Sequence, residues 1–241
     1  AEKKQTTLPT HWSDFNFSPD SGKIAAKTSG INSQNNFLII SDASGSKSKI
    51  LREIGDNKDK VIPAWSPNNQ IVAMFVGDND FDSQEIFFIG ANNESLKSMI
   101  VEGWGFDPKW TPLGDKILYS VYSSRTDNKP ELWIVDASPN SIGRNRKQLK
   151  LQTWADKCAF SDNNTVYCAV PSSLENGAGL FPDEMDRSSD RVYKINLNTG
   201  SRSEVGIPDE NHTMENLYVS PDGKYMYFRD KIDKKLYKIE L

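Results

Sequence analysis

Carboxylates that lie close to tryptophans are the residues of this sequence best suited to hold a ligand. When the chain is aligned on a recurring turn, acidic and aromatic side chains recur shortly before that turn in several copies. An aromatic face beside a carboxylate suits a sugar, a cationic peptide or a hot-spot side chain of a partner. The competing interpretation is that each tryptophan fills a gap between neighbouring elements and that the acids only solvate the surface. The candidate ligand-binding residues are Trp12, Asp14, Trp104, Asp107, Trp154, Asp156 and Glu215.

Established catalytic and metal-binding motifs are not found in the sequence. It has no Gly-x-Ser-x-Gly elbow, phosphate loop or His-Glu-x-x-His run. Its two histidines, His11 and His212, have no zinc-ligand spacing with the two cysteines. The acidic run at 78–82 begins like a calcium loop, but Ser83 and Ile89 replace the glycine and glutamate that such a loop needs. We interpret the run as a solvated loop, and a weak cation site is the alternative. We predict no catalytic residue, no cofactor and no metal site.

A long insertion at 171–190 is the second candidate for a functional surface. Long loops on a rigid scaffold commonly carry function. This loop holds four apolar residues among glycines, serines and acids, and we add Phe181 to the candidate ligand-binding residues. The alternative is that these residues fold down onto the neighbouring strands. The four are Leu174, Leu180, Phe181 and Met185.

Composition excludes several classes of function. The 241 residues carry a formal net charge of −4, which argues against nucleic-acid binding because such proteins present a basic patch. No apolar stretch approaches the roughly 18–20 residues needed to span a bilayer. Six tryptophans and 10% aromatic residues indicate a folded chain. The first residue is Ala1, so we expect a leader or anchor to have been removed.

Five copies of one turn organise the chain. In each copy an apolar or aromatic residue precedes Ser or Thr, and Pro, Asp, Asn or Gly follow, which predicts a tight hairpin. Strand-rich runs follow each turn, so that a unit of roughly 45–60 residues holds about four strands, as a propeller blade does. The turns lie at 17–20, 65–68, 110–113, 160–163 and 219–223.

The repeat predicts an all-β fold, a five-bladed β-propeller of four-stranded antiparallel blades in one domain over 1–241. The fifth unit ends after its third strand, and we expect Lys4–Leu8 to supply the fourth and so remove both sheet edges. A truncated six-bladed parent is the alternative. The predicted repeats are 11–54, 60–101, 105–151, 156–207 and 214–241 with 4–8.

The turn motif also carries a family resemblance. The aromatic-Ser-Pro-Asp-Gly-Lys pattern, closest at 220–224 and in Asp20, Gly22 and Lys23, resembles the WD40-like repeat of TolB and of prolyl-oligopeptidase-type propeller domains. The region 157–183 is similar to uncharacterised bacterial cell-envelope propellers with paired cysteines and an Ala-Gly-Leu-Phe-Pro run. This resemblance implies the propeller fold and an extracytoplasmic, membrane-tethered origin, without naming an activity.

The two cysteines flank a single hairpin turn. If Phe160 faces Val166 across that turn, Cys158 faces Cys168, close enough for a disulfide. A bridge would place the protein in an oxidising compartment. The alternative is a pair of reduced, buried thiols in a cytosolic protein.

These observations favour a non-catalytic binding scaffold in the bacterial periplasm or at the cell surface. We expect a protein partner in the cell envelope, a monomeric state and no membrane-spanning segment in this chain. The first alternative is a glycan-binding or glycoside-processing propeller that uses Asp14, Asp107 and Glu215, because glycosidases need paired carboxylates. A purely structural domain of a longer envelope protein is the second.

Overall fold

The structure is a computed structural model that describes residues 5–206 and 211–241, apart from the side chain of Ser33. In this part of the chain nineteen strands form five antiparallel sheets. Sheet 1 holds β1 Trp12–Phe17, β2 Lys23–Thr28, β3 Phe37–Asp42 and β4 Lys49–Glu53. Sheet 2 holds β5 Val61–Pro63, β6 Ile71–Asp78, β7 Ser83–Gly90 and β8 Met99–Glu102.

Three further sheets follow along the chain. Sheet 3 holds β9 Trp104–Trp110, β10 Lys116–Tyr122, β11 Pro130–Asp136 and β12 Lys147–Gln148. Sheet 4 holds β13 Cys158–Phe160, β14 Thr165–Pro171, β15 Asp190–Asn196 and β16 Arg202–Gly206. Sheet 5 holds β17 Met214–Val219, β18 Tyr225–Asp230 and β19 Leu236–Glu240.

Helical structure is scarce. One short α-helix, α1, spans Pro182–Met185 within the insertion. Short 3-10 helices are found at Ser33–Asn35, Gly55–Lys60, Ser124–Thr126 and Ala155–Lys157. Across the described ranges, none of these helices has the length and apolar composition to cross a membrane.

The sheets confirm the predicted fold class. Within each one the strands are neighbours in chain order, with the first strand at one edge, as in a propeller blade. All nineteen strands of the described residues are used by five sheets, in agreement with a five-bladed propeller.

The predicted closing strand is not confirmed. Lys4 lies outside the described residues, and 5–8 are not part of any strand. Leu8 instead packs against the apolar cluster of sheet 1 that contains Trp12 and Ile24.

In four of the five turns the recurring Ser or Thr accepts a backbone hydrogen bond through its hydroxyl, whereas the Ser161 hydroxyl bonds to Asp162. Ser18 Oγ accepts a hydrogen bond from the backbone N–H of Lys23 at 2.9 Å and donates to Asp20 at 2.6 Å. The same bond to the N–H five residues later recurs at Ser66, Thr111 and Ser220. A short side chain that satisfies the backbone in this way explains why the turn is readable in the sequence.

The internal packing divides the chain into two compact units, the first made of residues up to Asn79 with 85–100 and the second of 80–84 with 101–241. The first unit buries an apolar cluster that includes Leu38, Trp65 and Val72. The second buries Leu118, Leu132 and the side chains that pack around them. The single domain over 1–241 stays a prediction.

The predicted disulfide is confirmed. Cys158 on β13 and Cys168 on β14 are directly opposed in the antiparallel register and are bonded to each other. Both are fully buried in the cluster that contains Leu118 and Ile195. The bridge therefore joins the two strands at the edge of sheet 4, next to the elements that form the candidate site.

Candidate functional site

A cavity of about 250 Å³ in the second unit brings together three of the predicted ligand-binding residues, Asp107, Trp154 and Asp156. Asp107 lies on β9, whereas Trp154 and Asp156 lie at the 3-10 turn before β13. The insertion and neighbouring loops complete the walls. The further lining residues that matter for its chemistry are Tyr122, Gly179, Pro182, Asp183, Asp186 and Lys231.

Asp107 and Asp156 are neighbours within this cavity. The Asp107 carboxylate accepts a hydrogen bond from the Asp156 backbone N–H at 3.1 Å. Burial, and secondarily the charge of Asp156, raises the pKa of Asp107 to about 6. Loss of hydration also raises the pKa of Asp156. The cavity therefore holds two carboxylates that lack full charge compensation.

Lys109 follows Asp107 by two residues on β9, but its ammonium is directed elsewhere. Its Nζ donates a hydrogen bond to the Cys158 carbonyl. Burial lowers the pKa of Lys109, although the charges of Asp156 and Asp107 act in the opposite direction. The lysine thus contributes to the field at the two carboxylates while bonding to the backbone of β13.

A buried ion-pair network fastens the end of the insertion. The side chain of Lys157 is 2% exposed, and its Nζ lies 2.6 Å from Asp186 Oδ1 and 2.8 Å from Asp190 Oδ2. Asp190 Oδ2 also accepts the Met214 N–H at 2.6 Å, and Lys231 Nζ lies 3.6 Å from Asp186 Oδ2. The residues that follow α1 are therefore held against the 3-10 turn before β13 and against β17.

Asp190 is the member of this network whose carboxylate is least well compensated. Its Oδ1 is buried and has no hydrogen-bond partner among the residues that the structure describes. Burial raises the pKa of Asp190 to about 6, even though the ion pair with Lys157 acts to lower it. A single ammonium shared by two buried carboxylates leaves part of their charge uncompensated.

The part of the insertion just before Leu180 is fixed by backbone hydrogen bonds to the loop between β10 and β11. The N–H groups of Gly177 and Gly179 donate to the carbonyls of Asp127 and Asn128, each at 2.7 Å. Gly179 also presses on Tyr122, because a Cβ atom at position 179 would lie 2.4 Å from the Tyr122 Cβ. A side chain larger than hydrogen would therefore displace this wall of the cavity.

The apolar residues at the tip of the insertion remain in solvent. Leu180 is 46% exposed and Phe181 is 55% exposed, whereas Leu174 and Met185 are half-buried. The alternative, in which the apolar residues of the insertion fold down onto the strands, therefore does not describe Leu180 and Phe181, the tip of the insertion. Leu180 and Phe181 stand between Gly179 and Pro182, both of which line the cavity.

The other predicted ligand-binding residues lie outside this cavity. Trp104 is half-buried at the first position of β9, and Glu215 on β17 lies 3.4 Å from Arg229 and 3.8 Å from Lys234. In the first unit, Trp12 belongs to the core of sheet 1 and Asp14 lies 2.6 Å from Lys27 Nζ. Trp12 is the first residue of β1, and Trp104 is the first residue of β9. The binding roles of these residues, and that of Phe181, stay predictions.

The acidic run at 78–82 has structural partners. Asp78 pairs with Lys60 at 2.7 Å, and Asp82 accepts hydrogen bonds from the N–H and Oγ of Ser124. Within residues 5–206 and 211–241, no group of three or more His, Cys, Asp or Glu side chains is placed to hold a metal ion. Asp78 ends β6, whereas residues 79–82 lie in the connection between β6 and β7.

Several cavity residues were missed at the sequence level. Tyr122 ends a strand and Lys231 follows one, so neither stands in a recognisable motif. Asp183 and Asp186 sit among other acids of the insertion. The one available signal was Lys157, because a lysine at an inner-strand position needs a carboxylate partner when it is buried.

Comparison with known proteins identifies the fold. No protein-family model matches the sequence, and no curated protein matches it. TolB from Acinetobacter baumannii is 17% identical with a TM-score of 0.54, covering 91% of this chain and 53% of that chain. The acylaminoacyl peptidase of Pyrococcus horikoshii is 14% identical with a TM-score of 0.64, covering 95% of this chain and 37% of that chain. The propeller domain of the Trilobed protease of Pyrococcus furiosus is 12% identical with a TM-score of 0.62, and the match covers 95% of this chain and 67% of that chain.

The chain has the fold of a TolB-type WD40-like β-propeller. This TolB-type propeller spans about half the length of the Acinetobacter TolB that it matches. At these identities the likeness shows the fold alone. Because a TolB and two proteases contain similar folds, the fold does not determine the activity.

The raised pKa of Asp107 leads to a pH-dependent prediction. Its folded pKa of about 6 exceeds the ordinary value of 3.8, so the folded state binds this proton more tightly than the unfolded state. Ionisation of Asp107 therefore costs stability as the pH rises from about 4 through 6. We expect Asp107→Asn, which carries no charge, to be more stable than the parent at about pH 7.5 and equal to it near pH 4.

Urea unfolding of both proteins across this pH range measures the difference. Asp59→Asn is the control, because Asp59 is exposed and its change should not alter the stability at any pH. A stability difference for Asp107→Asn that does not vary with pH would contradict the assigned titration.

Proposed function

We propose that this TolB-type propeller is a non-catalytic binding scaffold that captures a protein partner in the cell envelope. The contact surface consists of the insertion tip, Leu180 and Phe181, together with the adjoining cavity. The observation that carries the proposal is that these two apolar side chains are exposed on a loop that is fastened at both ends.

These contacts matter because a loop that is already ordered loses little conformational entropy when a partner binds. The Gly177 and Gly179 bonds hold the beginning of the tip, and the Lys157–Asp186 ion pair holds its end. A preorganised surface keeps more of its contact energy as affinity. Exposed apolar patches that are rimmed by polar residues mark interaction sites, and a few anchor side chains carry most of the binding energy of an interface.

The proposed location is the periplasm or the cell surface. The Cys158–Cys168 bridge supports it, since such bonds persist in oxidising compartments. The TolB-type fold agrees with that location. Tethering to a membrane through a segment outside this chain, a monomeric state and a single propeller domain belong to the same proposal.

A glycan-binding or glycoside-processing role is the second candidate. It is favoured by the presence of Asp107, Asp156 and Trp154 in one cavity. The ion pairs of Glu215 with Arg229 and Lys234 favour the scaffold instead, because they occupy a carboxylate that this role would require.

Removing the exposed ring of Phe181 should weaken partner capture. We expect Phe181→Ala to reduce retention of the partner by about tenfold or more, the range of a hot-spot residue. The measurement is quantitative affinity capture from native cell envelope with the oxidised protein. Phe81→Ala is the matched control, because Phe81 is 88% exposed and lies outside the insertion.

The outcome separates the two candidates. A protein retained equally by the parent and by Phe181→Ala would show that the insertion tip is not the contact surface. Retained glycan without protein, lost on Asp107→Asn but not on Phe181→Ala, would instead support the second candidate.

A further inference from the structure

The cavity of the second unit combines aromatic and acidic walls. Its aromatic side chains are Tyr122 and Trp154, and its one lining lysine among the described residues is Lys231. Its volume of about 250 Å³ is below the range of drug-sized pockets and suits a single side chain. The carboxylates that line it are Asp107, Asp156, Asp183 and Asp186.

The lysines around the cavity have other partners. Lys157 is buried between Asp186 and Asp190, and Lys231 reaches Asp186. Lys109 bonds to the Cys158 carbonyl. In the described part of the chain, no lysine or arginine forms an ion pair with Asp107 or Asp156. Asp183 likewise has no ion pair among the described residues, but Asp107 and Asp156 are direct neighbours in the cavity and together form the pair with room for a cation from outside.

The pKa of Asp107 agrees with the absence of an ion-pair partner among the described residues. Burial and then the charge of Asp156 raise the pKa of Asp107, against the opposing effects of Lys109 and of hydrogen bonds from Asp156 and Ser120. A bound cation would favour the ionised forms of both carboxylates. A neutral sugar would leave the repulsion in place.

We propose that this cavity binds the guanidinium of an arginine side chain in a partner segment that packs on Leu180 and Phe181. The inference rests on the proposed protein-binding function and names the chemistry that the partner presents. A guanidinium is planar and always charged, pairs with carboxylates through two parallel hydrogen bonds and stacks on aromatic rings. The ammonium of a lysine carries the same charge but cannot form the two parallel hydrogen bonds or stack as a planar group.

The position of the cavity fits one continuous partner segment. Gly179 and Pro182 line the cavity, and the two residues between them are the exposed apolar tip. A segment with an apolar residue near an arginine could therefore use both parts of the surface at once.

The test is a titration of the intact chain with the tripeptide acetyl-Gly-Arg-Gly-amide, followed by NMR at about pH 7.5. We expect saturable binding that is about tenfold tighter than that of the neutral citrulline peptide, because a charged hydrogen bond is lost in the latter. Asp107→Asn and Asp156→Asn should each weaken the arginine peptide by about tenfold, while Asp59→Asn should leave it unchanged. Binding should also weaken below about pH 6, as Asp107 takes up a proton.

Equal binding of the citrulline peptide, or unchanged binding by both Asp→Asn variants, would overturn the proposal. A lysine peptide that binds as tightly would overturn the choice of guanidinium, and binding of a neutral oligosaccharide in its place would favour a glycan site. Thermal melts of the two variants show whether a loss of binding is a loss of fold.

The capture experiment with Phe181→Ala is independent of this titration. If the arginine peptide fails while capture still depends on Phe181, the scaffold function stands and the arginine pocket falls. If the peptide binds while Phe181→Ala captures as the parent does, the apolar contact surface falls instead.

Discussion

Replacing Lys157 with methionine should lower the free energy of unfolding by about 3–5 kcal/mol. The substitution keeps the apolar stem but leaves Asp186 and Asp190 buried without their shared ammonium. Removing one partner of a buried ion pair costs far more than the pair contributes, because the remaining charge stays desolvated. Urea unfolding at about pH 7.5 measures the loss, with Lys224→Met as the control at an exposed lysine.

A second substitution identifies the cause of that loss. In the Lys157→Met background, adding Asp190→Asn should recover part of the stability, because one of the two uncompensated charges is removed. Acidification should help in the same direction, since the pKa of Asp190 is already raised to about 6. A loss below about 1 kcal/mol in Lys157→Met would mean that the network is solvated and does not hold the insertion.

Loss of the Cys158–Cys168 bridge should cost about 2–3 kcal/mol of unfolding free energy in the chain-entropy account of cross-links. The bridge closes a short loop, with a sequence separation of 10 residues, so the gain is at the lower end for disulfides. Both positions are fully buried, and the change to alanine adds a cost for lost packing. The measurement is urea unfolding of the Cys158→Ala and Cys168→Ala variants and of the double variant.

The single variants provide the internal control. Either substitution alone removes the whole cross-link, so each should lose nearly as much stability as the double variant. Losses that add up from the two singles to the double would indicate two independent buried thiols. The parent treated with a reductant under unfolding conditions should match the double variant, apart from the packing cost.

The two stability predictions concern adjacent residues. Lys157 ends the 3-10 turn and Cys158 begins β13, so the ion-pair network and the disulfide meet at one point of sheet 4. The insertion is therefore held next to β13 and β14, the strand pair that the disulfide joins. This explains how a loop with exposed Leu180 and Phe181 can hold a defined position.

Some contacts of this protein were predictable because they are local in the chain. The hydroxyl of Ser18 bonds to the N–H of Lys23 five residues later, and the same bond at Ser66 explains why one motif marks successive hairpins. Cys158 and Cys168 oppose each other because the hairpin between them sets the register. A closing strand at 5–8 was not confirmed, since pairing with a distant sheet depends on more than strand propensity.

The hairpins, the division into five sheets and the disulfide follow from the amino-acid sequence, because each sheet and the bridge form within one repeat unit. Which acids share a site depends on contacts between repeat units. Asp107 meets Asp156 across two sheets, and Asp186 joins them through an insertion whose position depends on Lys157. Such encounters depend on how a long loop packs and on which buried charge needs a partner. No spacing in the sequence encodes either of these.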